Sequence, residues 1–96
     1  MRNRYLVCYD VSEPRRLERT HKKMHGFGDP VQYSVFICDL SPKERVLLEE
    51  ALTAVLNLKE DRALIVDVGP AEGRGRDCFT TLGRAGEFPS RRPVVV

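Results

Sequence analysis

At 96 residues the chain has room for one domain, and a domain this small buries only a modest share of what its unfolded chain exposes, so self-association is a natural source of further burial. A composition of 42% hydrophobic and 31% charged residues excludes a disordered chain; no apolar run approaches the roughly 20 residues that span a bilayer, and Met1-Arg2-Asn3-Arg4 leads straight into a strand-like run rather than a signal peptide, so no membrane partner and a cytoplasmic location are expected. The net charge of +2 conceals a division: residues 2–25 set Arg2, Arg4, Arg15, Arg16, Arg19, Lys22 and Lys23 against Asp10, Glu13 and Glu18, whereas residues 41–61 set Lys43, Arg45 and Lys59 against five acids.

Tyr5-Leu6-Val7-Cys8-Tyr9 is a continuous apolar run, too short for a helix, and reads as a central strand buried on both faces. Asp10 ends it. Ser12 is placed to cap a following helix in which Pro14 falls in the first turn, with Leu17, His21, Met24 and Phe27 at helical spacing. Gly26 and Gly28 stop that helix. Its opposite face carries Arg15, Arg16, Arg19, Lys22 and Lys23, either a solvated surface or a grip for a polyanion.

Val31 to Leu40 alternates and reads as a second strand, with Val31, Tyr33, Val35 and Ile37 on one side and Gln32, Ser34, Phe36 and Cys38 on the other. Ser41-Pro42-Lys43-Glu44 starts the next helix with three agreeing signals: a Ser cap, Pro at the first helical position, and Glu three residues after the cap. Leu47, Leu48, Ala51, Leu52, Val55 and Leu56 then form a wide apolar stripe. Ala63 to Val68 is a third strand closed by Gly69-Pro70. Residues 71–77 read as a mobile polar loop, and Cys78 to Leu82 as a fourth strand ended by Gly83. Residues 1–83 are therefore expected to form the domain and 84–96 an arm whose terminal Val94-Val95-Val96 suits a sheet edge. This order of elements points to a two-layer α+β sandwich with both helices on one face of a mainly antiparallel sheet. The other face then calls for a cover, and the simplest is a second copy related by a two-fold axis.

Cys8, Cys38 and Cys78 lack CxxC spacing and are expected to be reduced, the first two as core residues. His21 and His25 are four apart but lack the intervening Glu of the HExxH pattern, so no zinc site is expected there. Asp10, where a buried strand emerges, is either a helix-capping carboxylate or a ligand for Mg²⁺, which takes one or two carboxylates plus water and substrate phosphate. One Asp is a sparse cage, but a dimer axis near Asp10 would bring two together. Arg15, Arg16 and Arg19 are suited to gripping phosphate, and Tyr9, Tyr33 and Phe36 either stack nucleotides or fill the core.

The runs Tyr5-Leu-Val-Cys-Tyr-Asp-Val-Ser-Glu13, Arg15-Arg-Leu-Glu-Arg19 and Val31-Gln-Tyr-Ser-Val-Phe-Ile-Cys-Asp-Leu40 resemble CRISPR-associated protein 2, the small partner of the CRISPR adaptation integrase, over residues 4 to about 83. The resemblance implies a ferredoxin-like homodimer joined through the sheet face. It implies a Mg²⁺-dependent endonuclease acting on RNA or double-stranded DNA or, alternatively, a scaffold that bridges the integrase subunit and holds protospacer DNA. By motif position Asp10 resembles the family's shared metal-binding aspartate, with Tyr9, Arg16, Arg19 and Phe36 beside it as catalytic candidates, and Arg15, Arg16, Arg19, Lys22 and Lys23 as the nucleic-acid surface. Two departures stand out. Pro30 occupies a position that is often basic in the family, and the family's extra hairpin strand has no turn residue to mark it between Val31 and Leu40, which alternation reads as one bent strand. The terminal valines resemble a last strand crossing onto the partner subunit.

Overall fold

The computed structural model describes residues 1–83. Its elements are β1 (Asn3–Asp10), α1 (Pro14–Met24), β2 (Asp29–Gln32), β3 (Val35–Leu40), α2 (Pro42–Val55), β4 (Arg62–Pro70) and a single helical turn, α3 (Arg74–Asp77). The four strands form one sheet in the order β2-β3-β1-β4, antiparallel at every pairing, so β1 and β3 are central as the apolar run at Tyr5 to Tyr9 requires. Tyr5, Val7, Tyr9 and Val11 from β1 and its end, Phe36, Cys38 and Leu40 from β3, Met24 of α1, and Leu48 and Leu52 of α2 make one core. Both long helices therefore cover the same sheet face, the ferredoxin-like α+β arrangement that the order of elements suggests.

The start of α2 matches expectation in detail. Ser41 N–H donates to Glu44 Oε1 at 2.8 Å and Glu44 N–H donates to Ser41 Oγ at 3.2 Å, a reciprocal capping box with Pro42 in the first turn. Ser41→Ala removes one acceptor for a helix N–H and is expected to lower stability by about 1 kcal/mol; urea unfolding checks it as a lower midpoint at unchanged slope. The apolar stripe behind the cap is narrower than the sequence suggests: Leu48 and Leu52 are buried, while Leu47 is 45% exposed.

Four expectations are corrected. The α1 cap is Glu13 rather than Ser12: the Glu13 carboxylate accepts from Arg15 N at 3.1 Å and Arg16 N at 2.7 Å, while Ser12 N–H and Oγ are directed to Asp61. Val31 to Leu40 is not one strand. It divides at Tyr33-Ser34 into β2 and β3, and the turn is held from outside by β1, with Tyr9 N–H donating to Ser34 O at 3.1 Å and the Tyr9 hydroxyl donating to Tyr33 O at 3.1 Å. Residues 71–77 are not a plain loop, because Arg74–Asp77 turns helically against β1 and β4. Gly75 allows that approach: a Cβ there would lie 2.7 Å from both Arg4 Cβ and Gly69 O. Finally, Cys78 to Leu82 is not a strand. Its first N–H is bonded back to Arg74 O, and no described strand lies alongside to pair with it. The expected arm, 84–96 with Val94 to Val96, lies outside the described residues.

Candidate functional site

Strand pairing decides which side chains share the sheet face turned away from the helices. Residues directly opposite one another point to the same side, so the core pair Val7 and Phe36 fixes the alternate pairs to the other face. That face carries four rows: Arg4 with Asp39, Leu6 with Ile37 and Val66, Cys8 with Val35 and Leu64, and Asp10 with Arg62. Two apolar rows thus lie between two charged ones. Leu64 is 57% exposed, large for an aliphatic side chain in a sheet. At one end Arg4 grips Asp39 through two parallel bonds of 2.7 and 3.0 Å in a nearly buried pair. At the other end Asp10 is exposed at the last position of β1.

Asp10 therefore does not cap α1, whose first N–H groups are taken by Glu13. Its carboxylate is the hard oxygen donor that suits Mg²⁺, an ion content with one or two protein carboxylates and a shell of water and phosphate oxygens. The described residues contain no cluster of three His, Cys, Asp or Glu able to hold a metal.

Arg16, the first-turn arginine expected to meet phosphate, is held within the protein. Its guanidinium donates to Asp61 from Nε at 2.6 Å and from Nη2 at 3.0 Å, with Glu60 Oε1 at 3.4 Å. The Asp61 side chain has no solvent exposure and also accepts from Ser12 N and Asn57 N, at 3.0 and 2.8 Å. The Arg16 bond first, then the backbone donors, hold the Asp61 carboxyl well below the usual carboxylate range. Arg16 thus ties the start of α1 to the loop before β4 and orients the segment that follows Asp10. Sequence reasoning missed Asp61, for a carboxylate 45 residues distant carries no local signal. Arg15, Arg19, Lys22 and Lys23 stand exposed on α1, forming a basic surface whose charge is available to solvent.

Tyr9 and Phe36 lie on the helix side of the sheet, opposite the face that bears Asp10. Phe36 has no exposed surface and stacks on Tyr9 with ring centroids 6.2 Å apart. The Tyr9 phenol is pushed up to about 12 by burial, and next by Tyr33, so it stays a neutral hydrogen-bond donor at any working pH. Tyr9→Phe is expected to cost about 1 kcal/mol through the lost bond to Tyr33 O, which a lower melting temperature will report. Tyr33 is half in solvent, stacked on His21 with centroids 4.1 Å apart. The three cysteines are free thiols, with Cys38 in the core and Cys8 half-buried on the open sheet face.

A family model described as CRISPR associated protein Cas2 matches residues 2–73, which span every strand of the sheet and both long helices. The chain belongs to the Cas2 family. It is 44% identical over 96 residues, the full length of both chains, to a Geobacter sulfurreducens protein named CRISPR-associated endoribonuclease Cas2. A similarly named Cas2 protein of Rhodospirillum rubrum is 34% identical over 92 residues, covering 96% of this chain and 89% of the relative. The crystal structure of Streptococcus pyogenes Cas2 at pH 6.5 superposes with a TM-score of 0.72 at 30% identity, covering 83% of this chain and 99% of that one. In no described residue is there a helix long and apolar enough to cross a membrane.

Proposed function

We propose that this Cas2 protein is a Mg²⁺-dependent endonuclease, acting on RNA or double-stranded DNA as a homodimer that buries the sheet face away from the helices. The observation that carries this reading is the position of Asp10: an exposed carboxylate at the rim of a two-row apolar belt. A second copy that covers the belt shields Leu64 and its neighbours and brings a second Asp10 to the same region. Two half-sites then make one site. The names of the Geobacter and Rhodospirillum relatives, both CRISPR-associated endoribonucleases, support phosphodiester cleavage, and RNA is the first substrate to test.

An ion held by the paired Asp10 carboxylates would supply a more acidic water and positive charge beside the scissile phosphate. The chain supplies the rest. The paired Asp10 carboxylates hold and orient the ion's shell, and the Arg16 to Asp61 clamp fixes the β1 to α1 connection so that their positions are defined. Arg15, Arg19, Lys22 and Lys23 bind the sugar-phosphate backbone by charge, without reading sequence. The same surface suits the finer role of holding protospacer DNA while bridging an integrase subunit.

The test is cleavage of single-stranded RNA and duplex DNA by tag-free protein with Mg²⁺ and with chelator, beside sedimentation at micromolar concentration. Chelator-sensitive cleavage by a dimer supports the reading; a monomer, or cleavage indifferent to chelator, overturns it. Replacing Arg15 and Arg19 by Ala is expected to weaken nucleic-acid binding for all sequences and to flatten its salt dependence.

A further inference from the structure

His21 and His25 lie one helical turn apart on the same side of α1 and its C-cap, and their Nε2 atoms approach to 3.2 Å. We propose that this pair is a binding site for a transition-metal ion of the Zn²⁺, Ni²⁺ and Cu²⁺ class, separate from the carboxylate site at Asp10. With metal to imidazole nitrogen bonds of about 2.0–2.1 Å, two cis ligands sit about 2.9 Å apart at a right angle and about 3.3 Å apart at a tetrahedral angle. The observed separation lies between those limits, so the pair has the bite of a chelate before any ion arrives.

The second observation concerns the far side of the His21 ring. Its Nδ1 lies 3.0 Å from the Tyr33 carbonyl oxygen, an acceptor only, and 3.3 Å from the Tyr9 hydroxyl; with that hydroxyl donating to the same carbonyl, the arrangement that satisfies all three groups puts the proton on Nδ1. Nε2 is then the lone-pair nitrogen, turned toward His25. The ring is further fixed by stacking on Tyr33, at 4.1 Å and 12° between planes. A ligating imidazole whose other nitrogen donates to a backbone carbonyl is the usual outer arrangement of protein metal sites. In the metal-free protein the His25 Nε2–H donates to His21 Nε2. Binding displaces that hydrogen bond: the His25 proton passes through solvent to its own Nδ1, and both Nε2 lone pairs turn to the ion. Water completes the sphere, since the described residues offer no third ligand of the His, Cys, Asp or Glu type there. Imidazole ligands select borderline divalent ions over Mg²⁺, which prefers oxygen. The sequence shows the helical spacing of the pair but, without the Glu of HExxH, does not mark it as a metal site; the turn at Tyr33 is what orients it.

The site also has a reach. Tyr33 O, which accepts from His21, accepts from the Tyr9 hydroxyl too, one residue before Asp10. A bound ion therefore stiffens the turn between β2 and β3 and the end of β1 together.

The experiment uses tag-free full-length chain carrying Cys78→Ser, which removes the one exposed thiol among the described residues. Zn²⁺ alone is titrated by calorimetry, and Cu²⁺ is added for paramagnetic resonance. One equivalent per chain is expected, with a rise in melting temperature, nitrogen hyperfine coupling from two imidazoles, and no competition from millimolar Mg²⁺. His25 is exposed, so His25→Gln is expected to fold normally and to bind at least about tenfold more weakly, with only one coupled nitrogen. Unchanged binding in His25→Gln, stoichiometry unrelated to the histidines, or no binding by the parent chain would each overturn the proposal. None of these readouts depends on cleavage, so the nuclease reading stands or falls separately.

Discussion

Asp10→Asn is expected to reduce Mg²⁺-dependent cleavage at least about 100-fold while leaving the fold, the dimer and nucleic-acid binding intact. The substitution keeps the side chain's shape and removes its charge, and the position is exposed, so no core contact is lost. In the proposed dimer the substitution removes both carboxylates from the shared site. A hundredfold change corresponds to about 2.7 kcal/mol of transition-state stabilisation, within the several kcal/mol that a catalytic metal supplies. Binding is measured separately, by fluorescence anisotropy over a range of salt. It is expected to follow Arg15, Arg19, Lys22 and Lys23 and to ignore residue 10. Cleavage by Asp10→Asn at the parental rate would sink the catalytic assignment and leave the basic surface of α1 as the functional feature.

Asp61→Ala is expected to be the most damaging single substitution outside the hydrophobic core, lowering the melting temperature by on the order of 10 °C. Five donors converge on that carboxylate: two from Arg16, the N–H groups of Ser12 and Asn57, and the Ser12 hydroxyl at 3.4 Å. Removing it leaves the Arg16 guanidinium without its main partner and two backbone groups unpaired. The same cluster sets an acid limit. In the folded chain Asp61 is held far below its ordinary value, chiefly by Arg16, and Glu44 is held at about 2, first by Arg2 and then by the Ser41 N–H. The unfolded chain binds these protons near pH 4 and the folded chain binds them only at lower pH. Their contribution is thus complete above about pH 5 and disappears as pH falls toward and below 2. Asp61→Asn is expected to flatten stability between pH 5 and 2, which thermal melts at fixed ionic strength will report.

Elements written in short-range chemistry could be read directly. The apolar run of β1, the Ser41 to Glu44 box of α2 and the helical spacing of Leu17 and Met24 each need only neighbours within a few residues to act. What escaped depends on distant atoms. The break at Tyr33-Ser34 contains no Gly, Pro, Asn or Asp, because Tyr9 of β1 supplies the hydrogen bonds that a turn residue would otherwise make. The two glycines of residues 71–77 suggested slack chain, yet Gly75 is there so that a helical turn can lie against Arg4. Asp10 was legible as the end of a buried strand. That Arg16 faces Asp61, and that Tyr9 and Phe36 lie on the opposite side of the sheet from Asp10, follows only from register and packing.

The two borders of the sheet are unlike. On one, β2 is four residues long, contains Pro30, which has no N–H to offer, and slips register between Pro30 and Gln32. On the other, β4 runs for nine residues from Arg62 to Pro70 and pairs with β1 along one side only among the described residues. By its length β4 is the border better suited to accept a further strand, whereas the short β2 with its Pro30 is poorly suited to one.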